Sequence, residues 1–226
     1  MKVLVIAAHP DDEVYGMGGT IAKLVAQGNE VHVLIVTDGC ISQYRNDDNL
    51  EAILKRKQEE AQEANSILGV KCVHYGNLPD MGLDQVPHIQ INQVIEELIQ
   101  WLKPEVVYTH FYGDVNLDHQ LVYKSTLVAT RPIVGQCVKK LYAYCVPSST
   151  EWSPQLANSV FTPNVFVEIE PYVLKKVEAI KSYVTELREY PHPRSVESVM
   201  KKDIVAGLQC GLKKCEFFML IRQIDY

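Results

Sequence analysis

A chain of 226 residues with 47% apolar and 22% charged residues has the make-up of one medium globular domain with a full core, not of a fibre or a disordered tail. Its formal net charge of -6 counts against duplex nucleic acid or an anionic membrane as partner, since both reward clustered Lys and Arg. No run approaches the ~20 apolar residues that span a bilayer. The six cysteines are scattered without a Cys-x-x-Cys pair, so they read as reduced thiols and the expected compartment is the cytoplasm.

The chain opens Met1-Lys2 and runs straight into an apolar stretch over 3–8. A signal peptide would need a cleavage pattern next. A charged pentad follows instead, so a strand buried on both faces is the expectation. Gly18-Gly19-Thr20 then opens a helix closed by Gly28, and a second buried strand covers 31–36. Apolar residues at helical spacing (Ile53, Ala61, Ala64, Ile67, Leu68) predict a helix over 50–68, stopped by Gly69. A strand over 70–75, a turn-rich loop over 76–87, a helix over 89–102 ending before Pro104 and a strand over 106–108 follow. This alternation predicts a Rossmann-like α/β fold: a mostly parallel sheet with helices on both faces.

The second half is less regular. Helices are expected over 121–130, 172–188 and 196–212, and strands over 140–146, 165–169 and 217–221. With no linker, repeat or low-complexity tract, residues 1–226 read as a single domain.

Ligands of an open parallel sheet bind where loops leave the carboxyl ends of its strands. Two polar clusters fall there. The first strand leads into His9-Pro10-Asp11-Asp12-Glu13, and the fourth leads from His110 through Asp114, Asn116 and Asp118 to His119. A hydrolytic zinc site needs three protein ligands and an open position, and a further carboxylate beside it to take a proton. Adjacent Asp11 and Asp12 can divide that labour if their side chains diverge. Each residue also has a plainer reading. An acidic run suits a helix N-terminus, and Asp118 suits a helix cap. His32, His74 and His88 have no acidic company and read as structural. A dinucleotide site would put Gly-x-Gly-x-x-Gly directly after the first strand, where this chain has acids that would repel a pyrophosphate. A phosphoacceptor receiver would need an Asp ending the third strand, where this chain has His74-Tyr75-Gly76-Asn77.

Ala7-Ala8-His9-Pro10-Asp11-Asp12-Glu13 with Gly16-x-Gly18-Gly19-Thr20 resembles the opening signature of the PIG-L/LmbE-like N-deacetylases. So does Thr109-His110-x-x-Gly113-Asp114-x-Asn116-x-Asp118-His119, and so do Val146-Pro147-Ser148-Ser149-Thr150-Glu151-Trp152, Pro163-Asn164-x-Phe166-Val167 and Tyr190-Pro191-His192-Pro193-Arg194-Ser195, in the same order as one bacterial branch. The resemblance implies one zinc per chain, with iron as the alternative ion, held by His9, Asp12 and His119. It implies Asp11 as general base, a zinc-activated water as nucleophile, and removal of the N-acetyl group of an N-acetylated amino sugar or sugar conjugate.

Many members of that family read His-Pro-Asp-His where this chain reads Asn116-Leu117-Asp118-His119, so an imidazole that helps stabilise the oxyanion is missing. Either the Asn116 amide or a cationic His110 takes its place. Asp114, with His192 and Arg194 from the proline-stiffened loop, is expected to bind substrate, since an imidazole beside a guanidinium suits hydroxyl or phosphate recognition. The family's arginine in the long helix after the second strand corresponds to Arg45, Arg56 or Lys57. The expected partners are a small acetylated sugar and further copies of the chain, with no nucleic acid and no membrane span. The rival readings are a non-haem iron enzyme built on two His and one carboxylate, and a non-catalytic sugar-binding protein.

Overall fold

The apolar run at the N-terminus forms β1 (Lys2–Ala7), and its alternation feeds two cores at once. Val3, Val5 and Ala7 face one side of the sheet, and Leu4, Ile6 and Ala8 face the other. The computed structural model describes residues 1–39, 49–157 and 159–225. Among these, the further strands are β2 (Glu30–Thr37), β3 (Cys72–Leu78), β4 (Val106–Thr109), β5 (Lys140–Tyr144), β6 (Val165–Glu168) and β7 (Cys215–Gln223). They form one sheet in the order β3-β2-β1-β4-β5-β7-β6. Neighbours from β3 through β5 are parallel, whereas β7 pairs antiparallel with both β5 and β6. The sheet is thus the expected Rossmann-like, mostly parallel one in a single-domain α/β fold, with an antiparallel edge added by the less regular second half.

The helices are α1 (Asp12–Ala26), α2 (Leu50–Leu68), α3 (His88–Leu102), α4 (Leu117–Ala129), α5 (Val173–Ser182) and α6 (Val196–Leu208). Residues of α1, α2, α5 and α6 pack on the face of Val3 and Val5, and residues of α3 and α4 on the face of Leu4 and Ile6. No helix among the described residues is long and apolar enough to cross a membrane. Cys40 lies outside the described residues; Cys72, Cys137, Cys145, Cys210 and Cys215 are free thiols.

α4 starts at Leu117 and α6 ends at Leu208, each four residues from expectation, and the departures of α1 and α5 have identifiable reasons. α1 begins at Asp12, not Gly18, but it is kinked at Met17 (φ -156°, ψ 25°). Past the kink a second helical segment starts at Gly18, and its exposed N–H groups need acceptors. Glu216 of β7 supplies them, accepting from Gly19 N–H at 2.9 Å and Thr20 N–H at 2.6 Å. Gly16 and Gly19 permit close approach at this kink, since a methyl group on either would overlap Tyr144 or Ile169. α5 stops at Ser182, short of the expected 188, because Tyr183 turns inward and donates its hydroxyl to Glu13 at 2.6 Å. The chain released there carries Glu186 back over the sheet edge.

Glu216 is also one arm of a buried ionic cluster. Lys176 donates to Asp203 at 2.7 and 2.9 Å and lies 2.9 Å from Glu216, all three side chains being buried. Removing the cation strands two carboxylates in a low-dielectric site. Lys176→Met is therefore expected to destabilise the fold by about 3–5 kcal/mol in urea titration. A loss below about 1 kcal/mol would show that water reaches the cluster.

Candidate active site

Successive crossovers run to opposite faces of the sheet on either side of the β1–β4 pair, which leaves a crevice at the carboxyl ends of those two strands. The loop after β1 supplies His9 to Asp12, and the loop after β4 supplies His110 to His119. Asp11 has a left-handed backbone (φ 109°) and its carbonyl accepts the Val14 and Tyr15 N–H groups of the first turn of α1. Its own N–H donates to Glu13 at 3.2 Å, and Glu13 is pinned in turn by Asn65 at 2.7 Å and Tyr183. This unusual conformation, costing on the order of 1–3 kcal/mol for a residue other than Gly, separates the Asp11 side chain from that of Asp12.

His9, Asp12 and His119 converge. His9 Nδ1 lies 3.3 Å from Asp12 Oδ2, His119 Nε2 lies 3.3 Å from the same oxygen, and the two nitrogens are 3.3 Å apart. Donor atoms bound tetrahedrally to one zinc at about 2.0–2.1 Å stand roughly 3.3 Å from each other, so the triangle has the size such an ion requires. The outer ring nitrogens both face carboxylates. His9 Nε2 is 3.1 Å from Asp118 and 3.4 Å from Asp80, and His119 Nδ1 is 3.2 Å from Asp114. An N–H placed on each outer nitrogen leaves the inner lone pairs aimed at one point, as carboxylate–histidine–metal triads require. Asp12 Oδ1 is buried without a hydrogen-bond partner among the described residues. The donor set and its supports fit a divalent ion.

Without an ion, protons hold this cluster together. Burial disfavours the charged imidazole of His119, but the Asp12 charge and the Asp114 hydrogen bond outweigh it and raise the pKa to about 9. His9 follows the same pattern: burial opposes its charge, and Asp118 and Asp12 lift its pKa well above the usual value. Metal uptake must then displace protons. Apparent affinity is expected to rise with pH from about 7 through about 9, with proton release on binding at about pH 7. Chelator competition across that range, with an indicator dye, measures both. An affinity unchanged between about pH 7 and 9 would show that the nitrogens are already unprotonated.

The remaining sequence candidates divide. Asn116 lines the cleft together with His9, Asp11, Lys57, Asp80, Glu186 and Arg194. Its side-chain oxygen caps α4 by accepting the Asp118 N–H at 2.9 Å, so Asn116 is the cap and Asp118 is free to support His9. His110 is fully buried behind His119, its ring stacked on that of His119 with centroids 4.0 Å apart. His110 Nε2 accepts the Ala8 N–H at 2.7 Å, and burial drives its pKa well down. That describes a neutral ring away from the open side, not a cation facing substrate. Asp114 likewise faces away from the cleft. It accepts from the Asn116 N–H at 2.8 Å, from Ser149 and from Thr150 at 2.6 Å, besides facing His119.

Arg194 reaches the cleft and donates to Asp11 Oδ2 at 2.9 Å, whereas His192 turns edge-on to Trp152. Of the helix cations, Arg45 lies outside the described residues. Arg56 faces outward to Glu60, and Lys57 is buried at the cleft wall, donating to Glu186 at 2.7 Å. Sequence reasoning missed Asp80 and Glu186. Each comes from an irregular segment with no local spacing to mark it.

The family described as "PIG-L: GlcNAc-PI de-N-acetylase" matches residues 4–130. The diacetylchitobiose deacetylase of Thermococcus kodakarensis is 28% identical over 196 residues, covering 83% of this chain and 71% of that protein. Among solved structures, the N,N'-diacetylchitobiose deacetylase of Pyrococcus horikoshii superposes with a TM-score of 0.78 at 20% identity, covering 98% of this chain and 84% of that one. GalB of Pseudomonas putida, a 4-carboxy-2-hydroxymuconate hydratase, shares the fold at a TM-score of 0.75 and 20% identity, covering 100% of this chain and 98% of the other. The fold alone therefore does not select the reaction.

Proposed function

Because the chain belongs to the PIG-L family of de-N-acetylases, we propose that it hydrolyses the acetamide of an N-acetylated amino sugar or sugar conjugate with one zinc ion held by His9, Asp12 and His119. The observation that carries this reading is the 3.3 Å donor triangle, with both histidines backed by carboxylates and a further carboxylate, Asp11, on the open side. When bound, zinc supplies a Lewis acid and lowers the pKa of a water molecule towards neutrality.

Asp11 takes the proton of the attacking water and returns it to the departing amine. In the metal-free chain burial pushes its pKa well up, with the Arg194 guanidinium pulling the other way. Arg194 steers that carboxylate and lines the substrate's approach. Asn116 presents its amide to the cleft, which supports it over His110 as the side-chain donor to the oxyanion. Lys57 and Asp80 line the same cleft and bring to it an ammonium and a carboxylate, groups that suit sugar hydroxyls. The identity of the metal, residence in the cytoplasm and assembly into a homo-oligomer belong to the same proposal.

A panel of N-acetylglucosamine conjugates, scored for released acetate and free amine alongside metal analysis of the same sample, tests it. Full zinc loading with no amine released from any acetylated sugar would overturn the deacetylase reading.

A further inference from the structure

The turn between β5 and β6 lies beyond the segment that matches the family, yet it touches both halves of the site. It is closed on itself: the Thr150 N–H donates to Val146 O at 3.0 Å, the Val146 N–H donates to Thr150 Oγ1 at 2.9 Å, and the Ser148 N–H donates to Glu151 at 2.7 Å. Ser148 holds a left-handed backbone (φ 64°), a conformation that persists in a non-glycine residue only when its surroundings over-determine it. Three successive hydroxyls leave this turn in two directions.

Ser149 and Thr150 are 4% exposed and both donate to Asp114, the carboxylate behind His119. Ser149 Oγ is itself 3.4 Å from His119 Nδ1. Ser148 Oγ faces the other way and accepts from Arg194 Nε at 2.9 Å, while Arg194 Nη1 donates to Asp11 at 2.9 Å.

We propose that residues 146–152 are a two-armed positioning element: Ser149 and Thr150 aim His119 through Asp114, and Ser148 aims Asp11 through Arg194. The idea rests on His119 being a metal ligand. A plain alternative is that the hydroxyls only satisfy buried polar groups, in which case their loss would lower stability without moving metal affinity or turnover selectively.

The two arms make separable predictions on the full-length chain. Thr150→Val, and independently Ser149→Ala, should weaken zinc binding about 10–100-fold by chelator competition, as loss of an outer partner does. Thr150→Ser keeps the hydroxyl and should restore affinity. In the cobalt-loaded protein the d–d absorption should shift in Thr150→Val and return in Thr150→Ser. Ser148→Ala should leave zinc affinity as in wild type and lower kcat/KM about tenfold. Wild-type affinity in both Thr150→Val and Ser149→Ala, equal losses in the Val and Ser variants, or weakened zinc binding in Ser148→Ala would each overturn the two-armed reading alone. A wild-type chain that binds no zinc would instead overturn the metal reading, and this one with it.

Discussion

His119→Ala is expected to take zinc content from about one ion per chain to almost none and to cost on the order of 10⁴-fold or more in turnover, because water unassisted by metal has a pKa near 15.7 instead of about 7. The substitution empties one corner of the donor triangle and leaves Asp114 to its remaining donors: Ser149, Thr150 and the Asn116 N–H. Those keep the carboxylate satisfied, so the fold should survive, and far-ultraviolet circular dichroism separates metal loss from unfolding. A variant that holds its ion in full would remove His119 from the ligand set.

Asp11→Asn should do the reverse, retaining zinc while slowing turnover about 10²–10⁴-fold, the usual worth of a placed general base. Asn can still accept from Arg194, so the cleft should keep its shape. Stability should move the other way. The Asp11 carboxyl of the metal-free protein has a pKa raised by burial, and by Asp12, Glu186 and Glu13, despite Arg194. A carboxyl whose folded pKa is raised loses stabilising effect as pH climbs through that pKa. Asn is neutral throughout, so the variant's melting temperature should not fall below wild type at about pH 8. Parallel loss of zinc would instead make Asp11 a ligand.

The sequence was most informative where the physics is local. α2 occupies Leu50–Leu68 as its spacing and Gly69 predict, since that glycine takes a left-handed conformation that ends the helix. The order of strands and helices was legible for the same reason. The start of α1 was only half legible: Gly18-Gly19-Thr20 read as an opening, the acidic run was offered as a helix N-terminus, and the kink that joins the two depends on Glu216, nearly two hundred residues away. At the site, the approach of the two polar clusters was legible because the loops after β1 and β4 leave the carboxyl ends of neighbouring buried strands, while the ligand set of His9, Asp12 and His119 was what the family resemblance implied. The neighbours that set their behaviour were not legible. Asp80, Glu186 and the Ser148–Ser149–Thr150 hydroxyls arrive from distant segments, and the enclosure of His110 and Asp114 is a property of the packed sheet edge.

The kink at Met17 divides α1 into a short piece that begins with Asp12 and a longer piece with its own start. The longer piece is tethered through Gly19 and Thr20 to Glu216 of β7, not through the residues that face the crevice. Changes of length near Ala26 can therefore be absorbed beyond the tether without rotating Asp12. A one-residue insertion between Asp12 and Met17 has no such buffer. The chain should tolerate loop grafts at the far end of this helix while remaining intolerant of any insertion in its first turns, a division useful for attaching a reporter without disturbing the site.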